Sequence, residues 1–452
     1  MTAQQLFFKT ALVCALAIAA VATWAQAPVM DLKQVYQAAL EQDATIRASR
    51  ATADSGRERL PQARAGLLPQ ISASAGRNNN NLDTTAPNIL GTPVTTNEKY
   101  LSDNKTLQLR QPLVNMQRWL QFQQAKSVVE EVEANLDRDL QNLVVRVAGV
   151  YFEALMADEQ LDLVLAQKKT YTALVDAAKK GLAAGSGTRT DIDDAQSRLD
   201  MAAAQELEAR QNQDLARRQL QLLVNQPVNQ IAKLNVAALQ LSAPMPANLD
   251  DWTRKAEQAS PEIRAMQARL DAARREVSKA QAGHLPTVDA VAQWSNSGSE
   301  NITRVNSRFE NKTIGLQLNI PLYSGGYVNS TIRQAVAEQT RAEESLEALR
   351  RDLGVRVHKE YRGVSEGVLR VRALEQAARS AEQMMKSTQM SLTAGSRTQL
   401  DVLNAQQQFT LALRDLAQAR LVYLLSKVRL ASLVGDDAMV SVEHVNGSLR
   451  VR

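Results

Sequence analysis

The 452-residue chain has one cysteine, 12 prolines, 19 glycines and 4% aromatic residues. Each scarcity excludes something. The lone cysteine, Cys14, lies in an apolar N-terminal run, so the rest of the chain has neither disulfides nor thiol chemistry. Sparse glycine and proline argue against a chain of many short elements. The abundant Ala, Leu, Gln, Glu and Arg are the composition of long helices. The formal charge of +5 is interspersed and aromatics are few, so there is no stacking platform or basic patch for nucleic acid. His284, His358 and His444 are scattered without metal-ligand spacing, and no Gly-rich loop could cradle a phosphate. The chain is therefore not expected to be an enzyme or to hold a cofactor. After residue 25 no segment reaches the ~18 uninterrupted apolar residues of a membrane helix.

Residues 1–25 read as a secretory signal peptide. Lys9 precedes the apolar run 10–23, which is too short to span a membrane, and Thr23-Trp24-Ala25 fits a small-x-small cleavage site. Pro28 disfavours the alternative cleavage after Ala27. A lipid anchor on Cys14 would need a small residue before it, where Val13 stands.

What is present is an internal repeat, which governs how the rest is read. Residues 182–196 (LAAGSGTRTDIDDAQ) and 392–406 (LTAGSRTQLDVLNAQ) are identical at eight of fifteen positions, offset by 210. Ile46-Arg47-Ala48 recurs as Ile263-Arg264-Ala265, and Leu68-Pro69 as Leu285-Pro286, both offset by 217. Leu107-Gln108-Leu109 recurs as Leu316-Gln317-Leu318, offset by 209, so the first copy carries about eight extra residues, most simply in the Asn- and Thr-rich stretch 78–99. One half spans 26–248 and the other 249–440, followed by a tail, 441–452.

Each half opens with a helix, 31–65 and 249–283. A strand pair follows, 67–113 and 285–322. Apolar residues alternate at Ile71, Ala73 and Ala75, at Leu107 and Leu109, at Val288, Ala290, Ala292 and Trp294, and at Ile314, Leu316, Leu318, Ile320 and Leu322. Period-two alternation places one apolar face against one polar face. Each segment has about the 9–11 residues of a tilted membrane strand. A helical hairpin then occupies 116–224 and 326–434, its first helix free of proline and roughly 100 Å long. Apolar residues from Leu346 to Leu374 recur every 3.5 residues on average, the spacing of supercoiled helices. Residues 226–248, with Pro227, Pro244 and Pro246, connect the halves.

Four strands cannot close a membrane barrel, whose smallest forms have about eight, and an open edge in lipid is costly. The chain should therefore assemble, with Thr106, Gln108, Arg110, Gln317 and Asn319 facing a wet lumen. Signal peptide, two strand–strand–long-helix repeats and the AGSRTQLDVLNAQ hairpin together resemble the TolC family of outer-membrane efflux proteins over essentially the whole mature chain. The resemblance implies a mainly helical fold with β structure: a homotrimeric 12-stranded barrel in the outer-membrane lipid, continued by a periplasmic α-helical tunnel. It implies docking to a periplasmic adaptor and an inner-membrane transporter of ABC or RND type, and passive export of drugs or type I secreted proteins. The family's closing arginine matches Arg397, with Thr190 and Asp191 as its partners. Its acidic constriction ring matches Asp401; the second acid is Asn404 here, and Asp191 and Asp194 occupy the two equivalent spots in the first half. The exposed turns, Gly185-Ser186 and Gly395-Ser396, would meet the adaptor. A secreted coiled-coil spacer of the envelope without a pore is the alternative, but it has no use for four alternating strands.

Overall fold

The structure, a computed structural model, describes residues 29–299 and 307–450. The expected signal peptide with Cys14 lies outside the described residues. The fold is mainly helical with a four-stranded antiparallel sheet. Elements in chain order are α1 (Leu32–Gln42), α2 (Ala44–Arg57), α3 (Arg59–Ala65), β1 (Gln70–Pro87), β2 (Pro93–Val114), α4 (Met116–Ala183), α5 (Arg189–Val224) and β3 (Lys233–Leu234). Then come α6 (Leu249–Ala259), α7 (Pro261–Gln281), β4 (Thr287–Ser299), β5 (Ser307–Asn319), α8 (Tyr327–Thr393), α9 (Gln399–Leu433), α10 (Ala438–Asn446) and β6 (Leu449–Arg450). The chain forms two compact units, one of residues 50–136 and 261–350, the other of residues up to 49, 137–260 and 351 onward.

The first of these units holds the sheet, in the order β1-β2-β4-β5. Its register puts Ile71 opposite Leu109, Leu109 opposite Ala292 and Ala292 opposite Ile314. Directly opposed residues share a face, so the alternating apolar positions of all four strands fall together. That face is unpacked within the chain: Ile314 is 90% and Leu316 73% exposed. The opposite face is polar. Ser72, Gln108, Gln293 and Thr313 form one row across it, and Asp289 stands opposite Gln317. On it Arg110 Nε donates to Asp289 Oδ2 at 3.0 Å, and Asp289 is buried.

The strands exceed the expected length. β1 has 18 residues, β2 has 22, and β4 and β5 have 13 each. Among the described residues the pairing of β2 with β4 extends to Ser102–Ser299, and that of β1 with β2 continues to Pro87–Pro93. The Asn- and Thr-rich stretch is thus a continuation of the β1–β2 hairpin. Cross-strand polar pairs hold it: Thr85 with Thr95 at 2.7 Å, Asn97 Nδ2 to Asn81 Oδ1 at 2.9 Å, and Asn80 Nδ2 to Ser102 Oγ at 2.8 Å.

The other unit is helical. Helix 31–65 of the sequence reading is broken, as is 249–283. Asp43 takes an extended ψ of 121°, caps Ile46 N–H at 3.0 Å and pairs with Arg146 at 2.9 Å, which ends α1 and starts α2. Ser260 is extended because Pro261 follows it, and Pro261 opens α7. α8 buries Leu353, Val357, Val364 and Val371. Seven residues beyond Leu353 the buried position is Glu360, which faces Arg429 at 3.8 Å. α5 buries Ala195, Ala202, Ala209 and Ala216, a strict seven-residue stripe of small side chains that permits close helix approach. By composition α4 contains one window apolar enough to cross a membrane, but half of it is buried within the chain. Tyr151, fully buried on α4, donates to Ala232 O at 2.9 Å and Met30 O at 3.3 Å. Within the tail that follows residue 440, α10 runs on to Asn446, and β6 pairs with β3.

Candidate functional site

The duplicated Gly-Ser motif stops one helix and starts the next. In the first turn Ser186 N–H bonds Gly181 O at 2.9 Å and Gly185 N–H bonds Leu182 O at 3.0 Å; in the second, Ser396 bonds Ser391 at 3.0 Å and Gly395 bonds Leu392 at 2.9 Å. These are paired 6→1 and 5→2 bonds with glycine in the left-handed conformation, at φ 75° and 76°. Immediately afterwards Thr188 and Thr398 cap α5 and α9. Each hydroxyl accepts from the N–H three residues on, Asp191 or Asp401, at 3.2 Å. The aspartates return the bond, Asp191 Oδ2 to Thr188 N–H at 2.8 Å and Asp401 Oδ2 to Thr398 N–H at 2.9 Å. Both are full capping boxes, with the carboxylate at the positive end of the helix. The Thr398 backbone N–H, then its hydroxyl, hold the Asp401 carboxyl below the usual carboxylate range.

Each proposed gate residue can be placed. Within one protomer Arg397 lies 3.9 Å from Asp401 Oδ1, its one ion pair among the described residues. Asp191 is engaged by its own Thr188, and Arg189 pairs with Asp193 at 3.4 Å. Among the described residues the chain does not join Arg397 to Thr190 or Asp191. Asp194 is exposed. Position 187, glycine where the second turn has Arg397, is tight: a Cβ there would lie 3.0 Å from Leu182 N.

Sequence reasoning missed a direct tie between the two hairpins. Arg198 of α5 reaches α9 with both arms of its guanidinium: Nη2 donates to Asn404 Oδ1 and Nη1 to Gln407 Oε1, each at 2.8 Å. The expected second ring position, Asn404, is therefore occupied as an acceptor. Beneath the tie Tyr171, Leu174, Ala202, Val402 and Leu403 form a small buried cluster drawn from three helices. No short-range signal marks Arg198, since its partners are 206 and 209 residues away. Its spacing is legible afterwards, two turns beyond Asp191 on the same face of α5.

Comparison with known proteins places these features in a family. The family model described as outer membrane efflux protein matches residues 35–226 and 252–436. The alkaline protease secretion protein AprF of Pseudomonas aeruginosa is 33% identical over 432 residues, covering 94% of this chain and 89% of that protein. The proteases secretion protein PrtF of Dickeya chrysanthemi is 31% identical over 415 residues, covering 90% and 89%. In fold, the outer membrane protein VceC of Vibrio cholerae superposes with a TM-score of 0.75 at 19% identity, covering 90% of this chain and 96% of that one.

Proposed function

The chain belongs to the outer membrane efflux protein family, and we propose that it forms the trimeric outer-membrane conduit of a tripartite system exporting proteins by type I secretion. The observation that carries this reading is the sheet. Among the described residues it has one unpacked apolar face, one polar face, and two unpaired edges, β1 and β5. Unpaired edges are untenable in lipid, so copies must join edge to edge. Three copies supply 12 strands, a closed barrel with the Arg110–Asp289 face inward and the Ile314–Leu316 face toward lipid.

The two series of helix, strand pair, long helix and return helix support a duplicated origin. The long hairpins would wall the periplasmic tunnel, with Gly185-Ser186 and Gly395-Ser396 meeting the adaptor that joins the channel to an inner-membrane transporter. Since the two relatives are protease secretion proteins, an ABC-type transporter is the expected partner. In the closed tip Arg397 would reach Thr190 and Asp191 of a neighbouring protomer, while Arg198 ties the hairpins within each protomer. Asp401 would ring the constriction, its charge secured by the same capping box that starts α9. The channel supplies no energy of its own.

Membrane fractionation, crosslinking and planar-bilayer recording test this together. A heat-modifiable trimer in the outer membrane that conducts ions is expected; a soluble periplasmic monomer would end the proposal. Deleting the chain from a protease-secreting host should abolish secretion, and unaltered secretion would remove the cargo assignment.

A further inference from the structure

A pocket of about 440 Å³ lies between the connector, α6, α8, α9 and α10. That volume is in the range of small-molecule sites, which run from roughly 300 to 1,000 Å³. Its wall is largely apolar, with Trp252, Val364, Val428, Leu430, Val440 and Val445 among the lining residues. Four charged or titratable groups also line it: Lys427 of α9, His444 of α10, and Asp436 and Asp437 between those helices.

The pairing of these groups is unequal. Asp436 Oδ1 accepts from Lys255 Nζ of α6 at 2.7 Å, and Lys255 also stands 5.6 Å from the Trp252 ring centre. Asp437 caps α10 by accepting from Met439 N–H at 2.7 Å. Lys427 has no carboxylate partner among the described residues. Its one polar neighbour there is the His444 imidazole, with Nζ 3.4 Å from Nε2 and 3.5 Å from Nδ1. Burial lowers the pKa of Lys427 with no opposing charge to restore it. A half-buried ammonium with no carboxylate paired to it among the described residues is an incompletely satisfied cation lining an apolar cavity.

We propose that this pocket binds a single-chain amphipathic monoanion, an alkyl carboxylate whose head bonds Lys427 Nζ and whose tail lies along Trp252 and Val440. The lysine ammonium supplies a charge-assisted donor, and the imidazole N–H can supply another. The head carries one charge and not two, because Asp436 and Asp437 line the same cavity and would repel a dianion. The apolar wall selects the tail by burial alone.

Trp252 reports on the test. In the mature assembled channel, with Trp119 and Trp294 replaced by phenylalanine, octanoate, octanol and octylammonium are titrated and Trp252 emission is followed. Octanoate should give a saturable change with an apparent Kd at least tenfold below that of octanol, about 1.4 kcal/mol. Octylammonium should bind more weakly than octanol. Lys427→Met, which keeps the stem and removes the charge, should erase the octanoate advantage while leaving octanol unchanged, and Val440→Phe should weaken both. Equal affinity for octanoate and octanol in the unmutated pocket overturns the proposal without any lysine variant, as does a Lys427→Met channel that still prefers octanoate.

Discussion

The Arg198 tie allows the closed state to be tested quantitatively. Arg198→Ala removes two hydrogen bonds from a charged donor to the neutral amides of Asn404 and Gln407. Such bonds contribute about 1.5–3 kcal/mol when shielded from water. Arg198 is only half-buried and both acceptors are exposed, so roughly 0.5–1 kcal/mol per bond is the appropriate scale. One protomer then loses about 1–2 kcal/mol and three opening together about 3–6 kcal/mol, a shift of roughly 10² to 10⁴ in the open-to-closed ratio. The Arg397–Asp401 contact, at 3.9 Å between exposed groups one turn apart, is too long for a hydrogen bond and adds little. Arg198→Ala should therefore raise single-channel conductance in planar bilayers and sensitise cells to large antibiotics. Arg198→Lys should fall between, because an ammonium cannot span both amides as the planar fork does. Asn404→Asp should strengthen the tie and lower conductance. If Arg198→Ala conducts like the parent, the tie between α5 and α9 does not hold the closed state and the reasoning fails.

Other predictions concern the turns and the ring. Asp401→Ala should reduce cation preference and block by multivalent cations with little widening of the pore; a wide-open channel would make Asp401 a latch instead. Thr398→Val deletes one of the two bonds holding the Asp401 carboxyl low, so its pKa should rise. The charge-dependent part of conductance would then be lost at a higher pH as the solution is acidified, and an unchanged profile would show that the box does not set the ring's charge. Bulky charged residues at Gly185 and Gly395 should abolish export with trimers intact, whereas Gly395→Asn, which tolerates the left-handed φ, should retain assembly; export surviving the bulky changes refutes docking at the turns. Gly435→Ala should be more destabilising than Gly395→Ala by apparent Tm. Both incur the left-handed penalty of roughly 1–3 kcal/mol, but at 435 a Cβ would also lie 2.6 Å from Ala259 O, while at 395 the space is open.

Much of the architecture was written locally. The ends of α4, Met116 and Ala183, and the turns flanking α5 and α9 follow from near-neighbour chemistry: glycine reaching the left-handed region, threonine capping, aspartate three residues on. The two faces of the sheet follow from period-two alternation, because each Cβ must alternate whichever strand lies alongside. Local pattern could not show that 78–99 would be strand, since its Asn and Thr residues lack the alternation and acquire order only from cross-strand partners. Nor could it show the break at Asp43, whose conformation is held by Arg146 a hundred residues away.

The sequence by itself determined the long helices, the alternating strands outside 78–99, the two faces of those strands and where each hairpin turns. Those properties depend on residues within a few positions of one another. Only the tertiary structure decided that Arg198 meets Asn404 and Gln407, and that Lys427 lines an apolar cavity with no carboxylate paired to it among the described residues. Such contacts depend on which helix faces lie side by side, and chain folding brings those faces together across separations that leave no periodic trace.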